Sequence, residues 1–337
     1  MNKTLGAFVL LALFTACVLS ARAETLVVLN KSEFRAVLID PATGTVLARL
    51  PTGHGAHEVV VSPDGRTAYV SNFGPFGHYP PGDETHKQPG NTITVIDVVN
   101  RVVKATWDLG THTGPHGSLV SHDGKSVFVT TETPQSVLEL DAATGKILHV
   151  WPTNQQRTHL IVTTPDEKKS YTTNTISGSV SVIDRTTGAV KVLPTGPGSE
   201  GIAISPDGRE VWIGVRAGDK VAVISTATDE IVTTFESGGK GPSRVKFSPD
   251  GKEVWVANST SNQVVVFDSH DSKMLATLPM PNGPSGMVFA PDGRRVFVAS
   301  MRADEVSVVD VTVRKIVSNI STGHDSEPDG MAWAANR

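Results

Sequence analysis

Cysteine is all but missing from this chain, whose single example is Cys17. Because Cys17 falls in a leader-like segment, the mature protein is expected to carry no thiol, which excludes a disulfide framework, a thiolate metal site and a cysteine nucleophile. Any metal ion must then be held by histidine, carboxylate or backbone oxygen. Also missing are a Gly-x-Ser-x-Gly elbow, a Gly-Lys-Ser/Thr phosphate loop, a Rossmann glycine fingerprint and a Cys-x-x-Cys-His haem attachment motif. Long apolar runs are equally scarce. Only residues 5–19 form one; with Lys3 before it and Ala21-Arg22-Ala23 after it, the run reads as a signal peptide over residues 1–23 rather than a spanning helix. The mature chain is therefore expected to be soluble and periplasmic or secreted. A second reading takes Phe14-Thr15-Ala16-Cys17 as a loose lipoprotein box and puts a lipid on Cys17. A strong charge of one sign is absent too: the formal charge is -4, or -6 once Lys3 and Arg22 are removed, which argues against nucleic acid or anionic lipid as partner.

What the sequence does have is an internal period. Ser62-Pro63-Asp64-Gly65, Ser121-His122-Asp123-Gly124, Thr164-Pro165-Asp166-Glu167, Ser205-Pro206-Asp207-Gly208, Ser248-Pro249-Asp250-Gly251 and Ala290-Pro291-Asp292-Gly293 are one turn used six times. Their aspartates are 59, 43, 41, 43 and 42 residues apart, and an extra stretch over residues 73–90 accounts for the long first interval. The period is four short strands' worth of chain. Each turn joins two β-rich runs, strands a and b; a third run ends in Asp, as in Val180-Ser181-Val182-Ile183-Asp184, and a Thr-Gly turn leads to a fourth. After the leader the chain begins on a strand b, Leu26-Val27-Val28-Leu29-Asn30, and it ends on a strand a, Gly330-Met331-Ala332-Trp333-Ala334. The two ends complete one blade and close the ring, leaving no free sheet edge. Residues 24–337 are expected to form one all-β domain, a seven-bladed β-propeller of four-stranded antiparallel blades.

The strand endings Tyr69-Val70-Ser71-Asn72 and Trp255-Val256-Ala257-Asn258, with the Ser-Pro-Asp-Gly turns and the Val-Ile-Asp strands, resemble the YVTN family of β-propeller repeats over essentially the whole mature chain. The resemblance implies the propeller fold. It implies a range of activities, since the family includes lactonase-like enzymes, lyases, surface-layer proteins and binding scaffolds.

Function must be sought where the repeats differ. Seven residues before each turn aspartate, at the start of the innermost strand, stand His57, His116, His159, Glu200, Ser243 and Ser285, with Asp329 at the equivalent place of the shared blade. These positions are expected to ring one mouth of the central channel, with the insertion 73–90 on the same face as a lid. His54, His112 and His324 precede them in the same crossings, and His78 and His86 lie in the insertion. Neutral imidazoles and a carboxylate suit a divalent transition ion such as Cu, Zn or Fe. The expected metal ligands are His57, His116, His159 and Asp329. Glu200 would act as base or fourth ligand, while Arg157 and Arg244 would hold an anionic substrate through their planar forks. Tyr79, Asp83 and Glu84 could close over it. The leading expectation is a metal-assisted enzyme acting on a small molecule. The alternatives are a non-catalytic scaffold that binds a metal, small molecule or protein at this face, and a metal-free lactonase-like hydrolase. A monomer is expected.

Overall fold

The recurrent turn shows why the chain reverses where it does. Ser205 Oγ donates to Asp207 Oδ1 at 2.6 Å and accepts the Glu210 amide at 3.0 Å, while the Gly208 amide donates to the Ser205 carbonyl at 2.8 Å with φ at 73°. The serine closes the turn from inside, and the last position needs the left-handed conformation that glycine adopts at no steric cost. The bond from Ser205 also holds the Asp207 carboxyl below its ordinary range.

The computed structural model describes residues 24–74 and 88–335. The leader with Cys17, and the part of the insertion holding His78, Tyr79, Asp83, Glu84 and His86, lie outside the described residues. Within them the chain forms seven four-stranded antiparallel sheets arranged as blades. Blade 1 joins the C-terminal strand Pro328–Ala335 to Glu24–Asn30, Arg35–Ile39 and Val46–Pro51, with Leu26 opposite Trp333 and Val28 opposite Met331. The ring thus closes through the two ends, as the sequence predicts. Blades 2 to 7 begin with the innermost strands Ala56–Val61, Thr113–Val120, Thr158–Thr163, Ser199–Ile204, Pro242–Phe247 and Pro284–Phe289. Among the described residues no helix is long and apolar enough to cross a membrane.

The core lies between blades rather than within them. Trp255 of blade 6 packs with Val296, Val298 and Met287 of blade 7, fully buried, and its indole donates to Glu253 at 2.9 Å. Removing an aromatic surface of that size from water contributes on the order of 4–6 kcal/mol. The outermost strands meet solvent, as exposed Val232 and Val317 show.

Two backbone features aim the mouth residues. First, every innermost strand carries one extra residue against its neighbour near its start: Ala56 faces Asn72 but Glu58 faces Ser71, and Pro242 faces Asn258 but Arg244 faces Ala257. The other five blades shift register at the same place. Such a bulge re-aims a side chain, and it falls where His57, His116, His159, Glu200, Ser243, Ser285 and Asp329 stand. Second, the next residue alternates around the ring between glycine (Gly330, Gly117, Gly201, Gly286 in blades 1, 3, 5 and 7) and a side chain (Glu58, Leu160, Arg244 in blades 2, 4 and 6). A Cβ on Gly201 would lie 2.8 Å from the Arg244 Cα, and one on Gly286 would overlap the Asp329 carbonyl oxygen. The glycines let adjacent innermost strands touch, so the throat holds three side chains instead of seven.

Candidate functional site

The bulges of blades 2, 3 and 4 bring His57, His116 and His159 into one cluster, each with a nitrogen within 4.8 Å of the others'. The His57 and His116 ring centroids are 4.1 Å apart at 73°, and those of His116 and His159 are 3.7 Å apart at 39°. Phe73 lies edge-on to His116 at 5.3 Å and covers the apolar side. All three histidines are buried. Burial, then the Lys31 charge, lowers His57 to about 3 despite the opposing pull of Asp329. Burial first, then His159, pushes His116 well below its ordinary value, and burial with Arg244 does the same to His159. Three neutral imidazoles are therefore held together across the neutral pH range, each with a lone pair to offer. Nδ1 of His116 and Nδ1 of His159 are buried with no hydrogen-bond partner among the described residues.

A second ring completes the mouth. One residue from each blade at the end of strand b or directly after it, Lys31, Phe73, Glu132, Thr175, Arg216, Ser259 and Met301 from blade 1 to blade 7, lines the same cavity of about 310 Å³ as the bulge residues. Each blade therefore contributes one residue from the start of strand a and one from the end of strand b. At these two positions the ionisable side chains come from blades 1 to 5, while blades 6 and 7 present Ser243, Ser259, Ser285 and Met301.

The expected metal ligands His57, His116, His159 and Asp329, with Glu200, Arg157 and Arg244, all line this cavity, in different company from that expected. Asp329 Oδ2 accepts from Lys31 Nζ at 3.0 Å, Oδ1 accepts from Arg244 Nη2 at 3.3 Å, and Oδ2 lies 3.6 Å from His57 Nδ1. Burial acts to raise its pKa, but Lys31 and Arg244 prevail and keep the carboxylate ionised far below the usual range. It stands behind His57, and the group that could hold a metal ion among the described residues consists of the three histidines. Glu200 receives Arg216 Nη1 on both oxygens, at 3.0 and 2.9 Å. Arg157, partly exposed, pairs with Glu132 at 3.0 Å. Arg244 crosses the throat from blade 6 and donates to Glu58 of blade 2 at 2.5 Å as well as to Asp329 of blade 1. Burial opposes its charge, yet the two carboxylates raise its pKa overall. Burial pushes Glu58 up to about 7 against the pull of Arg244.

The outlying histidines stay outside the cavity lining. His54 stacks on Phe34 at 4.8 Å, His112 Nδ1 lies 3.5 Å from Ser136 Oγ, and exposed His324 lies 2.9 Å from Asp325. Sequence reasoning missed the second ring and Glu58. A signal for the ring was present: four of its members, Lys31, Phe73, Thr175 and Ser259, directly follow the strand-ending asparagines Asn30, Asn72, Asn174 and Asn258.

Residues 157–280 match the family model of the lactonase seven-bladed β-propellers. The matched segment spans blades 4 to 6. No curated protein matches the sequence significantly. Among solved structures, a functionally unknown protein of Desulfotomaculum acetoxidans superposes with a TM-score of 0.77 at 14% identity over 93% of this chain and 99% of that one. The periplasmic gluconolactonase PpgL of Pseudomonas aeruginosa gives 0.72 at 19% identity, over 93% of this chain and 100% of that one. The hydrazine synthase of Kuenenia stuttgartiensis gives 0.66 at 19%, over 80% and 87%. At such identities the likeness is one of fold. A lactonase-like propeller with a buried histidine cluster at its mouth fits a hydrolase-like protein.

Proposed function

We propose that this protein is an exported, metal-assisted hydrolase acting on a small anionic molecule at the channel mouth. The observation that carries the reading is the cluster of three buried, neutral histidines, two of which leave a buried Nδ1 without a hydrogen-bond partner among the described residues. A tetrahedral ion with bonds of about 2.0–2.1 Å sets its ligand atoms about 3.4 Å apart, which small side-chain rotations can reach from the observed spread. His57, His116 and His159 would hold a divalent transition ion, Zn, Cu or Fe, with a position left open. Such an ion supplies a lowered pKa for bound water and polarisation of a carbonyl.

The chain's own groups take the remaining roles. Asp329 faces His57 Nδ1 and fixes that ring, as carboxylates behind ligating histidines do. Glu200, beside His159 in the ring and held by Arg216, would take a proton from water. Arg244 lays a permanent positive charge across the floor, and Phe73 keeps water from one side of the cluster. The leader supports export, and PpgL, similar in fold, is a periplasmic gluconolactonase.

Metal analysis of the purified mature protein beside a His57→Ala/His116→Ala/His159→Ala variant tests the reading. About one equivalent of ion is expected in the wild type and none in the variant; equal content in both refutes it. Lactone hydrolysis followed by acid release, with and without chelator, then separates metal-assisted from metal-free turnover.

A further inference from the structure

The cavity is lined by five cationic side chains, and four of them are neutralised inside the protein. Lys31 pairs with Asp329, Arg157 with Glu132, Arg216 with Glu200 and Arg244 with Glu58 and Asp329. The fifth, Arg302 on blade 7, makes no ion pair among the described residues. Its side chain lies over Gly283, where a Cβ would come 3.4 Å from its Cγ and 3.6 Å from Nη1. Two residues further on stands Ser285, buried and lining the same cavity, whose Oγ has no hydrogen-bond partner among the described residues. An unpartnered buried hydroxyl costs free energy, and a guanidinium without an ion pair on the wall of the same cavity gives an anion a reason to settle there.

We infer that blade 7 carries the carboxylate-recognition subsite of this mouth, with the Arg302 guanidinium and the Ser285 hydroxyl holding one carboxylate of a small monoanionic substrate across the cavity from the three histidines. This deepens the hydrolase reading and rests on the mouth being a substrate site. It moves the anion-binding role from Arg157 and Arg244, whose charges are already spent on Glu132, Glu58 and Asp329, to a residue whose charge is not. One guanidinium and one hydroxyl match the single charge and two oxygens of a carboxylate. The two charges and three oxygens of a phosphate monoester exceed them. The neutral serines of blade 6 leave room beside this subsite for a hydroxylated substrate body, which is why glycolate and gluconate are the probes to use.

Calorimetric titration of the mature protein with sodium glycolate and sodium gluconate, in metal-loaded and chelator-treated forms, tests the subsite. Both anions are expected to bind, and Arg302→Ala is expected to weaken them about tenfold, the effect of losing one charge-assisted hydrogen bond near the surface. Arg302→Lys should recover part of the loss and Ser285→Ala should weaken binding several-fold. Arg209→Ala, on the opposite face, should change nothing. Metal content measured in every variant keeps the two readings apart: Arg302-dependent carboxylate binding in a protein that holds no metal supports the subsite and removes the metal. Carboxylate affinity unchanged by Arg302→Ala, no carboxylate binding by the wild type, or Arg302-dependent binding of inorganic phosphate in preference to both probes overturns the proposal.

Discussion

Three histidines held neutral in a buried cluster make the metal-free protein sensitive to acid, and His57 allows the effect to be worked out. Its pKa falls from the ordinary 6.5 to about 3 on folding. Between those values the unfolded chain binds a proton that the folded one refuses, so stability is complete above the upper value and drains away as pH falls toward the lower one. From pH 7.5 to pH 5.0 the His57 contribution amounts to about 2 kcal/mol, the free energy of protonating an unfolded histidine roughly 1.5 pH units below its pKa. His116 and His159 are displaced in the same direction and add losses of the same sign. The assay is equilibrium urea unfolding of chelator-treated protein at the two pH values, wild type beside His57→Gln. The variant should lose about 2 kcal/mol less than the wild type over this interval. An equal loss in both would mean that the His57 imidazole is not kept neutral by the fold, and the lone-pair argument for the site would go with it.

The throat offers two further tests. Arg244→Met strips Glu58 and Asp329 of a shared cation and should destabilise by about 3–5 kcal/mol, the cost of breaking a buried pair. Glu58, already raised to about 7, can shed its charge by taking a proton, so the loss should be larger at pH 8.5 than at pH 6 and mostly recovered in Arg244→Met/Glu58→Gln; urea midpoints for the three proteins at both pH values decide it. Gly286→Ala would drive a methyl into the Asp329 backbone and should cost more than about 2 kcal/mol. Gly188→Ala, at φ 76° with nothing within 4 Å, should cost only about 1 kcal/mol, and similar melting temperatures for the two variants would contradict the packing account of the throat.

The fold was legible because its signals are local and repeated. A Ser-Pro-Asp-Gly turn is fixed by bonds within six residues, so six copies locate strands a and b everywhere, and the unmatched strands at the two ends can only be each other's partners. The bulge ring was legible for the same reason: it stands at a constant offset from the turn, and His57, His116 and His159 were found by counting. Pairing across the throat was not legible. Arg244 meets Glu58 from 186 residues away, and nothing near either residue signals the other. The second ring stands nine residues after each turn aspartate, from Asp64 and Phe73 through to Asp207 and Arg216 and to Asp292 and Met301, so the same count reaches it; it went unread because its residue types share no one chemistry. Arg157 and Arg244 looked available because sequence shows a charge but not what neutralises it. Arg302 had to await the structure because its distinction lies in making no ion pair among the described residues.

Lys31 and Asp329 are 298 residues apart and meet at 3.0 Å because the last strand docks beside the first. Asp329 in turn faces His57, so the charge that backs the histidine cluster arrives only with the final eight residues of the ring, Pro328–Ala335. An unfinished or clipped chain could fold six blades and still lack a competent mouth. The electrostatics of the mouth are thereby tied to complete synthesis and complete closure, a built-in check that no fragment should pass.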